Sequence, residues 1–125
     1  MTLTEPKNKS LTFISRHPPY GNDHAFACLD LVLASSVFEQ DVNYLFMGDG
    51  VFQLLIDQQP DGIGSKNLVA SLAALELYGV SNVFVDALSL QKRKLSVSDL
   101  AIQIKVLDAV QVETLVNEAD LVFNL

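Results

Sequence analysis

The chain has 125 residues, half of them hydrophobic, and a formal net charge of −7 at neutral pH. This length predicts one domain with an ordinary core. No apolar run reaches the roughly 18 residues that a membrane-spanning helix needs, and the negative charge argues against direct binding of nucleic acid, which requires clustered cations. Because the mean hydropathy is nevertheless +0.30, we expect the apolar excess to be buried inside the domain or against other chains.

The cysteine content and the first residues bear on the compartment. Cys28 is the only cysteine, so the chain can form no internal disulfide. Met1–Ser10 is polar and shows no signal-peptide pattern, and the two observations together predict a cytoplasmic protein. We interpret residues 1–10 as a flexible polar tail and residues 11–125 as a single domain.

Short apolar runs separated by turn residues predict five strands. Helical patterns lie between the runs and no hairpin signal joins two of them. This order predicts an α/β fold of three layers, α/β/α, with a mostly parallel five-stranded sheet and helices on both faces. The predicted strands are Leu11–Ser15, Val42–Met47, Val83–Val85, Ile102–Leu107 and Leu121–Phe123.

The segments between the strands carry helical periodicity and capping residues. Asn22 or Asp23 can cap the first helix, and Asp108 can cap the last one through a side-chain oxygen that accepts from free amides. The predicted helices are His24–Phe38, Val51–Ile56, a stretch from Ser65 or Asn67 to Tyr78, and a helix from Asp108 through Val116.

The first predicted helix is apolar on almost every side. A helix that lies on one face of a sheet needs only a limited apolar stripe. A second apolar surface therefore predicts a second cover, which in a small domain is most simply another subunit. The stripe expected to face the sheet consists of Phe26, Leu29, Leu33 and Val37.

A glycine turn, Gly48-Asp49-Gly50, joins the second strand to the next helix. The glycines give the backbone the freedom to reverse there. The spacing matches neither a dinucleotide-binding nor a Walker motif, and Asp49 would repel a phosphate. By spacing alone this is a strand-to-helix turn, at the sheet edge where ligands and partners tend to meet α/β proteins.

Two candidate reactive sites are weak on the residues alone. Cys28 and His24 are four residues apart on one helix, so a histidine could activate the thiol. The alternative, which we favour, is that Cys28 is a small core residue under a mostly apolar helix. Two histidines and one cysteine are too few for a structural zinc site, and we expect no metal.

Two groups of cations are candidates for binding anions or acidic partners. Arg16 and His17 follow the first strand, at the same edge as the glycine turn if the sheet is parallel. They could bind an anion, although a solvated loop is the simpler interpretation. Lys92-Arg93-Lys94 is likewise interpreted as a solvated turn, whose best functional interpretation is docking of an acidic partner protein.

The stretch Asp49–Leu55, which follows a strand ending in Phe46-Met47, resembles the signature of the TusC/DsrF family of sulfur-relay subunits. The resemblance covers about residues 11–125. Softer matches fall in the same order along the chain, at Pro19–Gly21, Leu29-Asp30, Tyr78–Val80, Ala87–Leu90 and Ala119–Phe123.

The resemblance implies a TusC-like subunit of a heterohexamer with TusB-like and TusD-like chains, without a cofactor. In that family the TusD-type subunit carries the persulfide on a cysteine. The sulfur passes from TusA-like to TusE-like proteins for 2-thiolation of the tRNA wobble uridine. Phe84 stands at the expected cysteine position here, which implies a subunit without a catalytic residue. A DsrF-type role in cytoplasmic sulfur oxidation is the alternative within the family.

The residues expected at the partner interface come from the glycine turn and the first helix. Two other functions remain open: an independent thiol or persulfide carrier that uses Cys28, and a homo-oligomer that binds a small molecule near Arg16, His17 and Asp49. The interface candidates are Gly48, Asp49, Gly50, Val51, Phe52, Gln53, Phe26 and Tyr20.

Overall fold

A computed structural model describes residues 9–18, 24–38, 41–55, 72, 74–102 and 104–125. Five strands form one sheet in the order β4-β3-β2-β1-β5, and every neighbouring pair is parallel. The α/β class and the five strands predicted from the sequence are confirmed. The strands are β1 Ser10–Ser15, β2 Asp41–Phe46, β3 Asn82–Asp86, β4 Lys105–Leu107 and β5 Leu121–Asn124.

Among the described residues, three α-helices and three 3₁₀ helices have defined bounds. The described helices are much shorter than a bilayer crossing requires, and none has the apolar length to span a membrane. The α-helices are α1 His24–Val37, α2 Ala87–Lys92 and α3 Ala109–Glu118, and the 3₁₀ helices are Gly48–Leu54, Ala74–Tyr78 and Val97–Asp99.

The sheet has one large and one small apolar layer. Along β1, Phe13 belongs to the main core under α1, whereas Ile14 belongs to a smaller cluster on the opposite face. This alternation is the period of two expected of a strand. The smaller cluster also contains Leu45 and Leu107, and it is covered by the side chains of α3, namely Val112, Leu115 and Val116.

The buried stripe of α1 differs from the predicted one. Ala25, Cys28, Leu29 and Val32 face the sheet, whereas Val37 is 65% exposed. The buried residues still recur at helical spacing, and two of them, Ala25 and Cys28, are small. Of the predicted stripe, Leu29 is buried and Phe26 and Leu33 are half-buried.

The glycine turn is itself helical, which corrects one predicted boundary. The 3₁₀ helix begins at Gly48, not at Val51, because the Gly50 amide donates to the Met47 carbonyl at 2.9 Å. Helix α2 is an addition to the predicted elements. It begins directly after β3 because the Asp86 side chain accepts from the Ser89 amide and caps it.

Other boundaries are confirmed or corrected by single contacts. Asp108 caps α3 as predicted, with its carboxylate accepting from the Gln111 amide at 2.8 Å. β4 begins at Lys105, three residues later than expected. Ser10 belongs to β1 and not to the tail, since it pairs with Asp41 of β2, and its amide donates to the Asp120 carboxylate at 2.7 Å.

Some predicted features lie outside the described residues. They include Met1–Asn8, the capping pair Asn22 and Asp23, and most of the helix expected before Tyr78. Of that helix, Leu72 is buried and Ala74–Tyr78 is a 3₁₀ helix.

Candidate partner interface

The glycine-containing 3₁₀ helix lies at the carboxyl edge of the sheet, against the end of β1. The Met47 amide donates to the Ser15 carbonyl at 3.1 Å, which brings the chain leaving β2 across to β1. Parallel pairing therefore places Gly48–Leu54 beside Arg16 and His17, as the sequence predicted. This edge is where α/β folds meet ligands and partners.

Each of the two positions in the turn requires glycine for a different physical reason. Gly48 has a φ of +54°, a left-handed conformation that is unfavourable for residues with a Cβ atom. At Gly50 a Cβ atom would lie 2.0 Å from the Ser15 carbonyl oxygen, so the close approach of two backbones excludes any side chain. The two glycines therefore determine how tightly the segment packs on β1.

The buried side chain of Gln53 holds the same segment against the end of β1. Its amide Nε2 donates to the Ser15 Oγ and to the His17 carbonyl, both at 2.8 Å, and its side chain is fully buried. Val51 and Leu54 are also fully buried in the main core. Most of the Asp49–Leu55 pattern thus holds the segment in place.

The outward residues of the segment are joined to α2 by an ion pair. Arg93 donates to the Asp49 carboxylate from Nη2 at 2.9 Å and from Nε at 3.2 Å. The guanidinium also lies 5.8 Å from the centre of the Phe52 ring, within cation–π range. Asp49, Phe52 and Arg93 therefore form one cluster at the exposed side of the turn.

Ser89 reinforces this connection within the first turn of α2. Its hydroxyl accepts from the Gly48 amide at 2.9 Å and donates to the Asp86 carboxylate at 2.6 Å. The Ser89 carbonyl also accepts from Arg93 Nη1 at 3.2 Å. Ser89 and Arg93 therefore hold both ends of the Gly48-Asp49 dipeptide.

The Asp49–Arg93 cluster was not predicted from the sequence, because the two residues are 44 positions apart. A signal was available, since the acid follows β2 and the base ends the helix after β3. Strands that neighbour each other in a parallel sheet bring such segments to the same edge. Interpreting Lys92-Arg93-Lys94 as wholly solvated is therefore wrong for Arg93, whose side chain is only 23% exposed.

Arg16 and His17 lie at the predicted edge but point to different neighbours. Arg16 Nε donates to the Asn124 side chain at 2.7 Å and so ties β1 to the edge strand β5. The His17 ring stacks on His24, with the two ring centres 4.1 Å apart. Their side chains do not converge on one anion site in the described structure.

Cys28 lies in the core and away from the surface. Its thiol is fully buried beside Ser15 and Tyr44, and burial raises its pKa to about 11, while His24 is exposed. Burial also raises the pKa of the Tyr44 phenol well above its usual value. At neutral pH the thiol is protonated, which agrees with the core interpretation and not with an activated nucleophile.

Phe84 lies on the opposite face of the sheet from α1. It is half-buried against the cluster of Ile14, Leu45 and Leu107, under helix α3. With Lys105 it lines a groove of about 390 Å³ between α3 and the sheet. The position expected to hold a reactive cysteine in a TusD-type subunit is filled here by an aromatic packing residue.

Phe26 and Tyr20 are the remaining candidates for the partner interface. Phe26 is half-buried against the main core, so part of its side chain lies at the surface. Tyr20 lies outside the described residues.

Comparison with known proteins gives one consistent family. The model of the DsrE/DsrF-like family matches residues 9–125. The chain is 38% identical over 118 residues to a protein named TusC homolog of Pseudomonas aeruginosa, an alignment that covers 94% of this chain and 99% of that protein. It is 36% identical over 130 residues to the intracellular sulfur oxidation protein DsrF of Allochromatium vinosum, covering 93% and 96% of the two chains.

A solved structure supports the same fold. The crystal structure of the ychN protein from E. coli superposes with a TM-score of 0.81 at 24% identity, and the match covers 94% of this chain and 99% of that one. At this identity the likeness shows the fold alone.

Proposed function

This chain belongs to the DsrE/DsrF-like family, and we propose that it is a TusC-type accessory subunit of a sulfur-relay complex. The names of its relatives support the sulfur-relay assignment, since proteins named TusC or TusC homolog match over most of its length. The relay would deliver persulfide sulfur for 2-thiolation of the tRNA wobble uridine in the cytoplasm.

The state of Cys28 is the observation that carries the accessory role. A persulfide carrier needs an accessible thiol with substantial thiolate character. The only thiol of this chain is fully buried, and its pKa is raised to about 11. The reactive cysteine would therefore belong to a TusD-like partner.

The proposed interface combines the exposed part of the glycine segment with apolar surface elsewhere. Gly48, Asp49 and Phe52 present surface, whereas Gly50, Val51 and Gln53 are buried and position them. Large apolar side chains are also exposed, and such surface favours association in a subunit. We propose a heterohexamer with TusB-like and TusD-like chains, served by TusA- and TusE-like carriers. The exposed apolar residues of α1, the turn that follows it and β5 are Leu31, Val37, Phe38, Leu121, Val122 and Phe123.

Coexpression with the TusB-like and TusD-like chains of the same organism tests the assembly. The three chains should elute together from size-exclusion chromatography, and Phe52→Ser should weaken co-elution. Val97→Ser is the matched control, because Val97 is 55% exposed in a different 3₁₀ helix. Elution of the wild-type chain alone and folded would contradict the assembly role.

Persulfide labelling tests the absence of carrier chemistry. In a reconstituted relay, label should accumulate on the TusD-like chain and not on this one. Wild type and Cys28→Ser should therefore give the same pattern. Persulfide on the wild-type chain that disappears in Cys28→Ser would support the independent carrier instead.

A DsrF-type role in sulfur oxidation is the second candidate, because the DsrF protein matches at nearly the same identity. Deletion of the gene separates the two roles. Loss of wobble 2-thiouridine in bulk tRNA supports the TusC-type role, whereas intact thiolation with impaired oxidation of stored sulfur supports the DsrF-type role.

A further inference from the structure

The basic turn Lys92–Lys94 ends α2 in a Schellman motif. The Leu95 amide donates to the Leu90 carbonyl at 3.0 Å, and the Lys94 amide donates to the Gln91 carbonyl at 3.1 Å. These are the two hydrogen bonds that define the motif. Lys94 occupies the position after the cap, with a φ of +56°.

Lysine is an unfavourable residue at this position. The position calls for a left-handed conformation, which glycine adopts without steric cost and a residue with a Cβ does not. Elsewhere in the described part of the chain, positive φ values are confined to Gly48 and Gly79. A strained residue that the fold tolerates is a reason to look for a function at that residue.

The three cationic side chains of the turn have different surroundings. Arg93 is turned inward to Asp49, whereas Lys92 and Lys94 are exposed. In the described structure neither lysine forms an ion pair, and the turn holds three of the eight lysines and arginines of the chain. A pair of unpaired cations therefore projects from an otherwise acidic protein, beside the Gly48–Leu54 segment.

We propose that Lys92 and Lys94 form a docking site for a short acidic segment of a partner protein. Opposite charge at the rim of an interface steers encounter and determines its salt dependence. Two lysines can neutralise only a few charges, which suits a short carboxylate cluster. A longer nucleic acid would also meet the rest of the surface, and the chain as a whole carries a formal net charge of −7.

The proposal goes beyond the assigned role and does not depend on it, because peptide binding by the isolated chain requires no partner subunit. Its probe is a fluorescein-labelled polyglutamate peptide, titrated against the full chain by fluorescence anisotropy. The paired variant Lys92→Gln/Lys94→Gly should lower the affinity about threefold to tenfold. Added salt should weaken binding to the wild type more than to the variant. Lys105→Gln, an exposed lysine on β4, is the matched control and should bind as the wild type does.

Lys94→Gly alone distinguishes a docking residue from a structural one. Glycine relieves the left-handed strain, so the melting temperature should rise by about 2–5 °C, while binding of the peptide falls. Unchanged binding in Lys94→Gly and in the paired variant would overturn the proposal. If a polyuridine oligonucleotide bound more tightly than the peptide and lost that binding in the same variants, this result would overturn the proposal and assign the site to nucleic acid.

Discussion

The Asp49 carboxylate and the Arg93 guanidinium, 2.9 Å apart, connect the helical turn after β2 to the end of the helix after β3. The two residues differ in exposure, since the Arg93 side chain is 23% exposed and the Asp49 side chain 56%. The ion pair is therefore only partly exposed, and solvent partly screens the attraction between its charges. Its stability contribution is expected to be modest, and its main effect is to hold Asp49 and Phe52 in one orientation.

A double-mutant cycle measures the coupling energy between Asp49 and Arg93. Asp49→Asn and Arg93→Gln should each lower the free energy of unfolding slightly, and the coupling between them should be about 0.5–1 kcal/mol because solvent screens the carboxylate. Urea denaturation of the four proteins gives the value. A coupling of zero would mean that the contact has no energetic role in the isolated chain.

Gly50 and Gly79 should respond very differently to alanine. At Gly50 the new methyl would meet the Ser15 carbonyl oxygen at 2.0 Å, and a backbone atom has little room to move. We expect Gly50→Ala to cost more than about 3 kcal/mol, or to prevent folding.

Gly79→Ala is the control for that substitution. Gly79 has a φ of +79°, but a Cβ added there would have no described atom within 4 Å, so alanine should incur only the left-handed strain of about 1–2 kcal/mol. Circular dichroism and urea midpoints compare the two variants. Equal losses would contradict the close-approach explanation for Gly50.

The sequence predicts this fold well where local signals and burial agree. All five strands appear near their predicted positions, and Asp108 caps α3, because apolar runs and capping residues act over a few neighbours. The predicted stripe of α1 is only partly correct, because two sets of apolar residues have helical spacing: Leu29 belongs to both sets, whereas Val37 is exposed. Two of the buried residues, Ala25 and Cys28, are small, and the apolar pattern of the sequence does not single them out.

The candidate interface is only partly predictable for a different reason. The position of Gly48–Leu54 at the sheet edge follows from parallel order, but its partners are distant in sequence. The contacts of Gln53 with Ser15 and of Asp49 with Arg93 depend on how neighbouring strands align. The same motif therefore contains inward and outward residues that the sequence alone does not separate.

Gln53 should be needed for stability although it is polar. Gln53→Leu keeps most of the side-chain volume but removes two donated hydrogen bonds and leaves the His17 carbonyl without that donor. The expected loss is about 1–3 kcal/mol in the free energy of unfolding. Gln91→Leu, on the exposed surface of α2, should change stability by no more than about 0.5 kcal/mol. Equal effects of the two substitutions would show that burial of Gln53 is unimportant.

The Cys28 thiol should be unreactive in the native protein at neutral pH. The side chain is fully buried, and burial raises its pKa from 9.0 to about 11. Iodoacetamide should therefore modify the urea-unfolded chain quickly and the native chain only after unfolding. Rapid modification of the native chain would contradict the core assignment.

The same pKa shift predicts how stability depends on pH. The folded state holds the Cys28 proton more tightly than the unfolded state, so this contribution is fully present below pH 9.0 and is lost as the pH rises towards about 11. Two pH units correspond to about 2–3 kcal/mol. Urea midpoints of the wild type should fall more steeply over this range than those of Cys28→Ala, which lacks the titrating thiol. Parallel curves for the two proteins would show that the thiol is not held protonated by the fold.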